Sequence, residues 1–264
     1  QTAEEGGAGG ERMCADGALK GAAGGGIGEP VTRIYGLHGW PAQALGTIGT
    51  RGGPLLAATD EFEITIHGTQ GHAAFPHFAK DPVVCAAQVI TALQTLPSRE
   101  TDPVDSSVVT VGSIHGGSAH NVIPASVELI GTVRTLKDET RTAMRTRLHE
   151  LVNGLSQAMG CRAEIAWHEG YPVTHNSAEL AEKVLAVGAA ALGTACAVRI
   201  ESPFMGGEDF SYYGECVPSC FFLVGLRPQG WHTSPGLHTP RCDFNDEALP
   251  VSIGVMSRLA LGDV

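Results

Sequence analysis

The sequence predicts an α/β domain, a helix-covered mixed sheet, interrupted by an inserted α+β domain. Three observations predict it. Between residues 60 and 171 the hydrophobic periodicities follow the order β-α-β-β-α-β. Beyond Gly170-Tyr171-Pro172 they change to longer helical stripes and to one near-continuous apolar strand, Cys220 to Val224, of the kind that is buried on both faces. Hydrophobic residues make up 43% of the 264, and charged residues 17%, enough to close a substantial core. The simplest division is 1–59 and 172–264 as one domain and 60–171 as the insertion.

At the start of the chain, Glu11 to Leu19 reads as a short helix. Gly21 to Gly28 reads as a loop on composition, and Thr32 to Leu37 as a compact strand ending at His38. The chain opens on Gln1, and Thr2-Ala3-Glu4-Glu5-Gly6-Gly7 reads as a strand end running into a Gly-rich turn. The expectation is a chain that begins in mid-domain.

In the insertion, Phe62, Ile64 and Ile66 alternate with Glu63, Thr65 and His67, the mark of a half-buried strand. Asp81-Pro82 supplies an N-cap and a first-turn proline. Val83, Ala86, Ala87, Ile90 and Leu93 follow at helical spacing. Strands at Val108 to Ser113 and Val127 to Leu136 come next. A helix opening at Asp138 carries the stripe Met144, Leu148, Leu151, Val152 and Leu155, and a strand from Ala163 to Trp167 closes the unit. This order is that of a ferredoxin-like sandwich, two helices on one sheet face with the other face open. Past it, Asn176 and Glu179 read as caps of a helix from Ala178 to Leu192 that stops at Gly193, and Leu249 to Leu261 reads as the last helix.

Composition excludes several functions. Lys and Arg number 17 against 28 Asp and Glu, for a net charge of −11, and such a chain repels phosphate backbones and anionic membrane surfaces. No uninterrupted apolar run approaches the roughly 20 residues that cross a bilayer, and the first ten residues have neither a basic nor an apolar signal region. Seven cysteines, an odd number without a C-x-x-C pair, read as buried free thiols of a reducing compartment, with cytoplasm as the default.

Several segments carry chemistry-bearing residues. At a strand-to-loop turn, one of the adjacent acids Glu4 and Glu5 can bind a cation while its neighbour reaches a bound water; the pair also reads as solvated acids. His38, in Tyr35-Gly36-Leu37-His38-Gly39-Trp40-Pro41, sits where open α/β sheets place their ligands, or is a hydrogen-bonded core histidine. His238 lies in the loop Gly236-Leu237-His238-Thr239-Pro240. In the insertion, His72 and Asn121 fall in loops. Arg134 falls on the sheet face opposite Val127, Leu129 and Val133, suited to bidentate recognition of a carboxylate or simply solvated. Met205-Gly206-Gly207-Glu208-Asp209-Phe210 combines glycines whose backbone can approach a ligand with acids that can cap a helix.

Eight segments in order, QTAEEGGAGG, YGLHGWP, GTQGHAAFPH, DPVVCAAQVITALQT, SAHNVIP, GTVRT, MGGEDF and LHTP with DFNDEAL, resemble the amidohydrolase branch of the M20 metallopeptidase superfamily. That branch includes hippurate hydrolases, N-acyl-amino-acid amidohydrolases and auxin-conjugate hydrolases. The resemblance implies a metal-bearing α/β domain and a smaller lid that dimerises. By position, Glu4 matches the general acid/base, Glu5 and His238 ligands of one metal, and His38 a ligand of another. His72 matches the lid histidine that reaches the reacting carbonyl, often of the partner subunit, and Asn121, Arg134 and Gly207 match substrate-holding groups. It implies two divalent cations per complete site, Zn²⁺ or Mn²⁺, and metal-dependent hydrolysis of hippurate-like N-acyl amino acids to a carboxylic acid and an amino acid.

Two alternatives stand beside it: a dipeptidase or carboxypeptidase of the same superfamily, and a non-catalytic fragment acting as a dimerising or binding module. The family's upstream Gly-Cys-Gly-His-Asp-Gly-His type motif has no match here, so the chain is expected to be the C-terminal part of a longer enzyme.

Overall fold

The computed structural model describes Glu4 and residues 6–262, and divides the chain into two compact units. The first takes residues up to Leu56, Thr174–Phe204 and the chain from Glu208 onward; the second takes Ala57–Val173 with Met205–Gly207.

In the first unit, helix α1 (Gly9–Ala15) precedes strands β1 (Ile34–Ala44), β2 (Ile48–Thr50) and β3 (Gly53–Leu56). Helix α1 begins two residues earlier than the periodicity indicates and ends earlier. The reason is Gly10: its N–H donates to Asp209 Oδ2 at 2.9 Å, and a Cβ there would stand 2.5 Å from the Asp209 carbonyl oxygen. Strand β1 also runs on past His38, where the sequence reading ends it, to Ala44.

The second unit contributes β4 (Ala58–His67), β5 (Gly71–His72), α2 (Pro82–Leu93), β6 (Ser107–Gly116), β7 (Val122–Ile123), β8 (Ser126–Thr135), α3 (Asp138–Ala158) and β9 (Arg162–Glu169). Its sheet order is β6-β8-β4-β9 with every neighbour antiparallel, the ferredoxin-like arrangement. Asp81 caps α2 by accepting from the N–H groups of Val83 and Val84 at 2.9 and 3.3 Å. The buried stripe of α2 is Cys85, Ala86, Val89 and Leu93, rotated from the expected one, which included Val83 and Ala87. An apolar run such as PVVCAAQVITAL does not fix its own phase; packing against Phe62, Ile64, Ile66, Leu129 and Val133 does. Gly131 is required beneath Phe62, whose ring carbon Cζ would lie 2.2 Å from an added Cβ.

The chain returns to the first unit with β10 (Thr174–Asn176), α4 (Ala178–Leu192), β11 (Ala197–Arg199), α5 (Ser211–Cys216), β12 (Ser219–Arg227) and α6 (Ala248–Leu261). Its main sheet, β1-β12-β2-β11, is mixed: β1 runs parallel to β12, β12 antiparallel to β2, and β2 parallel to β11. A two-stranded ribbon pairs β3 with β10. Cys220, Phe222 and Val224 pack on one face with Leu180, Val184 and Val187 of α4 and Val255 and Leu259 of α6. Phe221 and Leu223 pack on the other with Met13, Cys14, Phe210 and Tyr213.

Asn176 does not cap α4. Ser177 does so, accepting from Leu180 N–H at 3.5 Å. Asn176 is buried instead, donating to Thr50 Oγ1, the Arg51 carbonyl and the Phe221 carbonyl at 2.9–3.1 Å and accepting from Phe221 N–H at 2.7 Å. The cysteines are all free, but only Cys85 and Cys220 are buried; Cys216 is exposed and the rest are intermediate. Among the described residues no helix is long and apolar enough to cross a membrane.

Candidate functional site

In the first unit, His38 lies on β1 opposite Leu223 of β12. Strand alternation puts it with Ile34 and Trp40, on the face where α1 and α5 pack, because Tyr35 and Leu37 point to the α4 and α6 side. Its Nδ1 lies 2.7 Å from the Gly39 carbonyl oxygen, which only accepts, so Nδ1 carries a proton and donates it there. Trp40 meets the imidazole edge-on, with ring centroids 6.2 Å apart.

His238 is exposed in the turn 237–241 with φ +58°, a left-handed conformation uncommon outside glycine and asparagine. Glu4 stands in a turn whose Gly6 N–H bonds the Glu4 carbonyl at 3.0 Å. Glu5 lies outside the described residues.

The residue the sequence reading passes over is Glu208. It reads there as a helix cap, yet it is only 7% exposed. Its Oε1 accepts from the Phe210 N–H at 3.4 Å. Burial first, then the nearby charge of Glu4, push its carboxyl up to about 7. The first unit thus brings Glu4 and Glu208 within electrostatic reach of each other. The signal in the sequence is an acid placed directly after Gly206-Gly207, between Met205 and Phe210.

In the second unit, the short β5–β7 ribbon brings His72 and Asn121 together. His72 pairs with Val122, and the Ala73 N–H donates to the Asn121 carbonyl at 3.0 Å. Both side chains are exposed, and His72 Nδ1 accepts from the Ala74 N–H at 3.0 Å, which turns the ring toward Phe75, 5.5 Å away between centroids.

Arg134 is on β8, between Thr59 of β4 and Val108 of β6, on the face away from the helices. Burial lowers its affinity for a proton, and the charges of Glu61 and Asp60 oppose that, so a guanidinium it remains. It makes no hydrogen bond or ion pair with any described residue. Arg141 is the opposite case: it grips Asp60 with Nε to Oδ2 at 2.8 Å and Nη2 to Oδ1 at 2.6 Å. Gly207 packs on Thr59, whose Cγ2 would lie 2.1 Å from an added Cβ, and the neighbouring Gly206 carbonyl accepts from Ala57 N–H at 2.8 Å.

Of the residues that the resemblance assigns, Glu4, His38 and His238 therefore stand in one unit and His72, Asn121, Arg134 and Gly207 in the other. Among the described residues no group of three His, Cys, Asp or Glu side chains could hold a metal ion. The described donors do not by themselves fit a cation.

Residues 59–158 match the model of a peptidase dimerisation domain, that of the M20 peptidases. The chain is thus similar to M20 peptidases over most of its length. It is 39% identical over 233 residues to the N-acetyl-L-cysteine deacetylase of Bacillus subtilis, covering 88% of this chain and 53% of that protein. It is 35% identical to the IAA-amino acid hydrolase ILR1-like 4 of Arabidopsis thaliana, covering 98% of this chain and 58% of the relative. A crystal structure of a Bacillus subtilis dinuclear metal binding peptidase from the M20 family superposes with a TM-score of 0.75 at 28% identity, over 96% of this chain and 60% of that one. The chain spans somewhat over half the length of the curated relatives it matches.

Proposed function

We propose that the complete protein hydrolyses the amide bond of N-acyl amino acids of the hippurate type, releasing a carboxylic acid and an amino acid. The observation that carries this reading is Arg134: a half-buried guanidinium on an open sheet face, without an ion-pair partner among the described residues. Leaving such a group half-desolvated is unfavourable unless an anion completes it, and the planar fork matches a carboxylate bidentately. The relatives' names, an N-acetyl amino acid deacetylase and an amino acid conjugate hydrolase, supply the amide.

In this reading Arg134 and Asn121 hold the amino-acid end, and Gly207 brings backbone close to it. His72 donates toward the reacting carbonyl oxygen, and Glu4 takes a proton from the attacking water and returns it to the leaving amine. Glu208, with its raised affinity for a proton, adjoins that carboxylate. A divalent cation, zinc or manganese, belongs to the same reading, with Glu5, His38 and His238 as this chain's ligands; it stands on the relatives and not on the described donor set. The second unit pairs two chains and serves as the lid.

The test is Arg134→Ala in the full-length enzyme, assayed on N-acyl amino acids and on their carboxamide analogues. The expected result is a rise in KM of about 10–100-fold for the free carboxylate, from loss of a charge-assisted bond of about 1.5–3 kcal/mol, and little change for the carboxamide. An equal effect on both removes Arg134 from carboxylate recognition.

A further inference from the structure

Two of the free thiols sit on packed helices of the first unit, α1 and α5. Cys14 of α1 directs its Sγ to the Tyr212 carbonyl of α5 at 3.7 Å. Cys216 stands four residues further along α5, one turn on and on the same strip of its surface. The two thiols are close enough to interact electrostatically.

The helices that present them are held together by contacts in the turns that precede the pair. Gly10 N–H donates to Asp209 Oδ2 at 2.9 Å, the Tyr213 hydroxyl reaches Met13 Sδ at 3.2 Å, and Gly10 leaves no room for a side chain between α1 and the Asp209 backbone. The sulfurs cannot drift apart without breaking these contacts.

Access to the pair is one-sided. Cys216 is exposed, whereas Cys14 is partly covered. Burial first, then the facing Cys216 and Glu215, push the Cys14 thiol up to about 12, so Cys14 stays protonated and is unreactive until its neighbour has changed. Three of the other cysteines do not compete for Cys216. Cys220 is buried on the opposite sheet face against Thr50 Oγ1, 3.6 Å away. Cys161 faces Cys85 in the second unit, and Cys85 is sealed in that unit's core.

We propose that Cys14 and Cys216 form a reversible dithiol–disulfide site oxidised by hydroperoxides. The Cys216 thiolate attacks a peroxide oxygen, the O–O bond breaks, and Cys216 becomes a sulfenic acid as hydroxide leaves and is protonated to water. The Cys14 sulfur then attacks the Cys216 sulfur; the S–S bond forms, the S–O bond breaks, and the Cys14 proton departs with the hydroxyl as a second water. Two thiols lose two electrons and two protons, and one hydrogen peroxide is reduced to two waters. A dithiol reductant reverses the step by thiol–disulfide exchange. Helix α1 follows the Glu4 turn, and α5 follows Glu208 and Asp209, so the cross-link fixes the spacing of the two acidic loops. The site does not depend on the hydrolase reading.

The test treats the reduced full chain with hydrogen peroxide, blocks remaining thiols in denaturant and maps tryptic peptides. The expected product is the peptide of residues 13–20 linked to the peptide containing Cys216, a loss of two from the seven thiols, and full recovery with dithiothreitol. In Cys14→Ser, Cys216 has no resolving partner, and dimedone labelling of its sulfenic acid rises about tenfold or more over wild type. Cys85→Ser keeps the link. Equal dimedone labelling of Cys216 in wild type and Cys14→Ser overturns the proposal. So does a wild-type map in which peroxide consumes other thiols and leaves Cys14 and Cys216 unlinked, a result independent of how any variant folds.

Discussion

Arg141→Met isolates the energetics of the second unit's base. Asp60 is 1% exposed, and its carboxylate is held by two guanidinium bonds, at 2.6 and 2.8 Å, and by the Gly170 N–H at 3.1 Å. Methionine keeps most of the arginine stem's volume but leaves that carboxylate buried with one donor. Breaking a buried pair from one side costs about 3–5 kcal/mol. The Gly170 carbonyl, which accepts from Arg141 Nη2 at 3.0 Å, adds about 1 kcal/mol. With a urea dependence of about 2 kcal/mol per M, the unfolding midpoint of this unit falls by roughly 2 M.

Hydrogen exchange read by mass spectrometry on peptides from β4 and β9 measures the same loss unit by unit, as a drop in protection of about a thousandfold. The double variant Asp60→Val with Arg141→Met recovers more than half of it, because an apolar pair carries no uncompensated charge. A single-variant loss below about 1 kcal/mol, or a double variant no better than the single, would refute the reasoning.

Two further outcomes follow from the first unit. Asn176→Ala removes four hydrogen bonds joining β10 to the residues around Thr50 and Phe221 and leaves buried partners unpaired; a loss of about 2–4 kcal/mol in urea unfolding is expected, with exchange in β12 accelerated and β4 unaffected. Glu208 has a folded-state affinity for protons raised from 4.5 to about 7, so its contribution to stability is fully present below pH 4.5 and is lost as the pH rises through about 7, by up to about 3 kcal/mol. Glu208→Gln should flatten the fall in thermal midpoint across that window, and an unchanged slope would show that this carboxyl titrates normally.

The inserted unit was the most legible part of the chain, since alternation in Phe62-Ile64-Ile66 and the Asp81-Pro82 cap are local signals that tertiary packing then obeys. Where a segment is apolar on every side, as in α2, the sequence left the phase open and the sheet beneath it chose Cys85 and Val89. Asn176 shows the limit of local rules: its position before a helix looks like a cap, but the unsatisfied groups near Phe221 offer it four bonds where a helix start offers one.

Sequence by itself determined which residues this chain has for acid–base and carboxylate chemistry and, through eight ordered motifs, its likeness to the M20 peptidases. Only the tertiary structure decided which of them meet. It brought Glu4 within electrostatic reach of Glu208 and Cys14 within that of Cys216, and left Arg134 without an ion-pair partner among the described residues while Arg141 took Asp60. The physical reason is range: propensity and periodicity act over a few residues, whereas desolvation and charge pairing depend on neighbours that the chain supplies from some two hundred residues away.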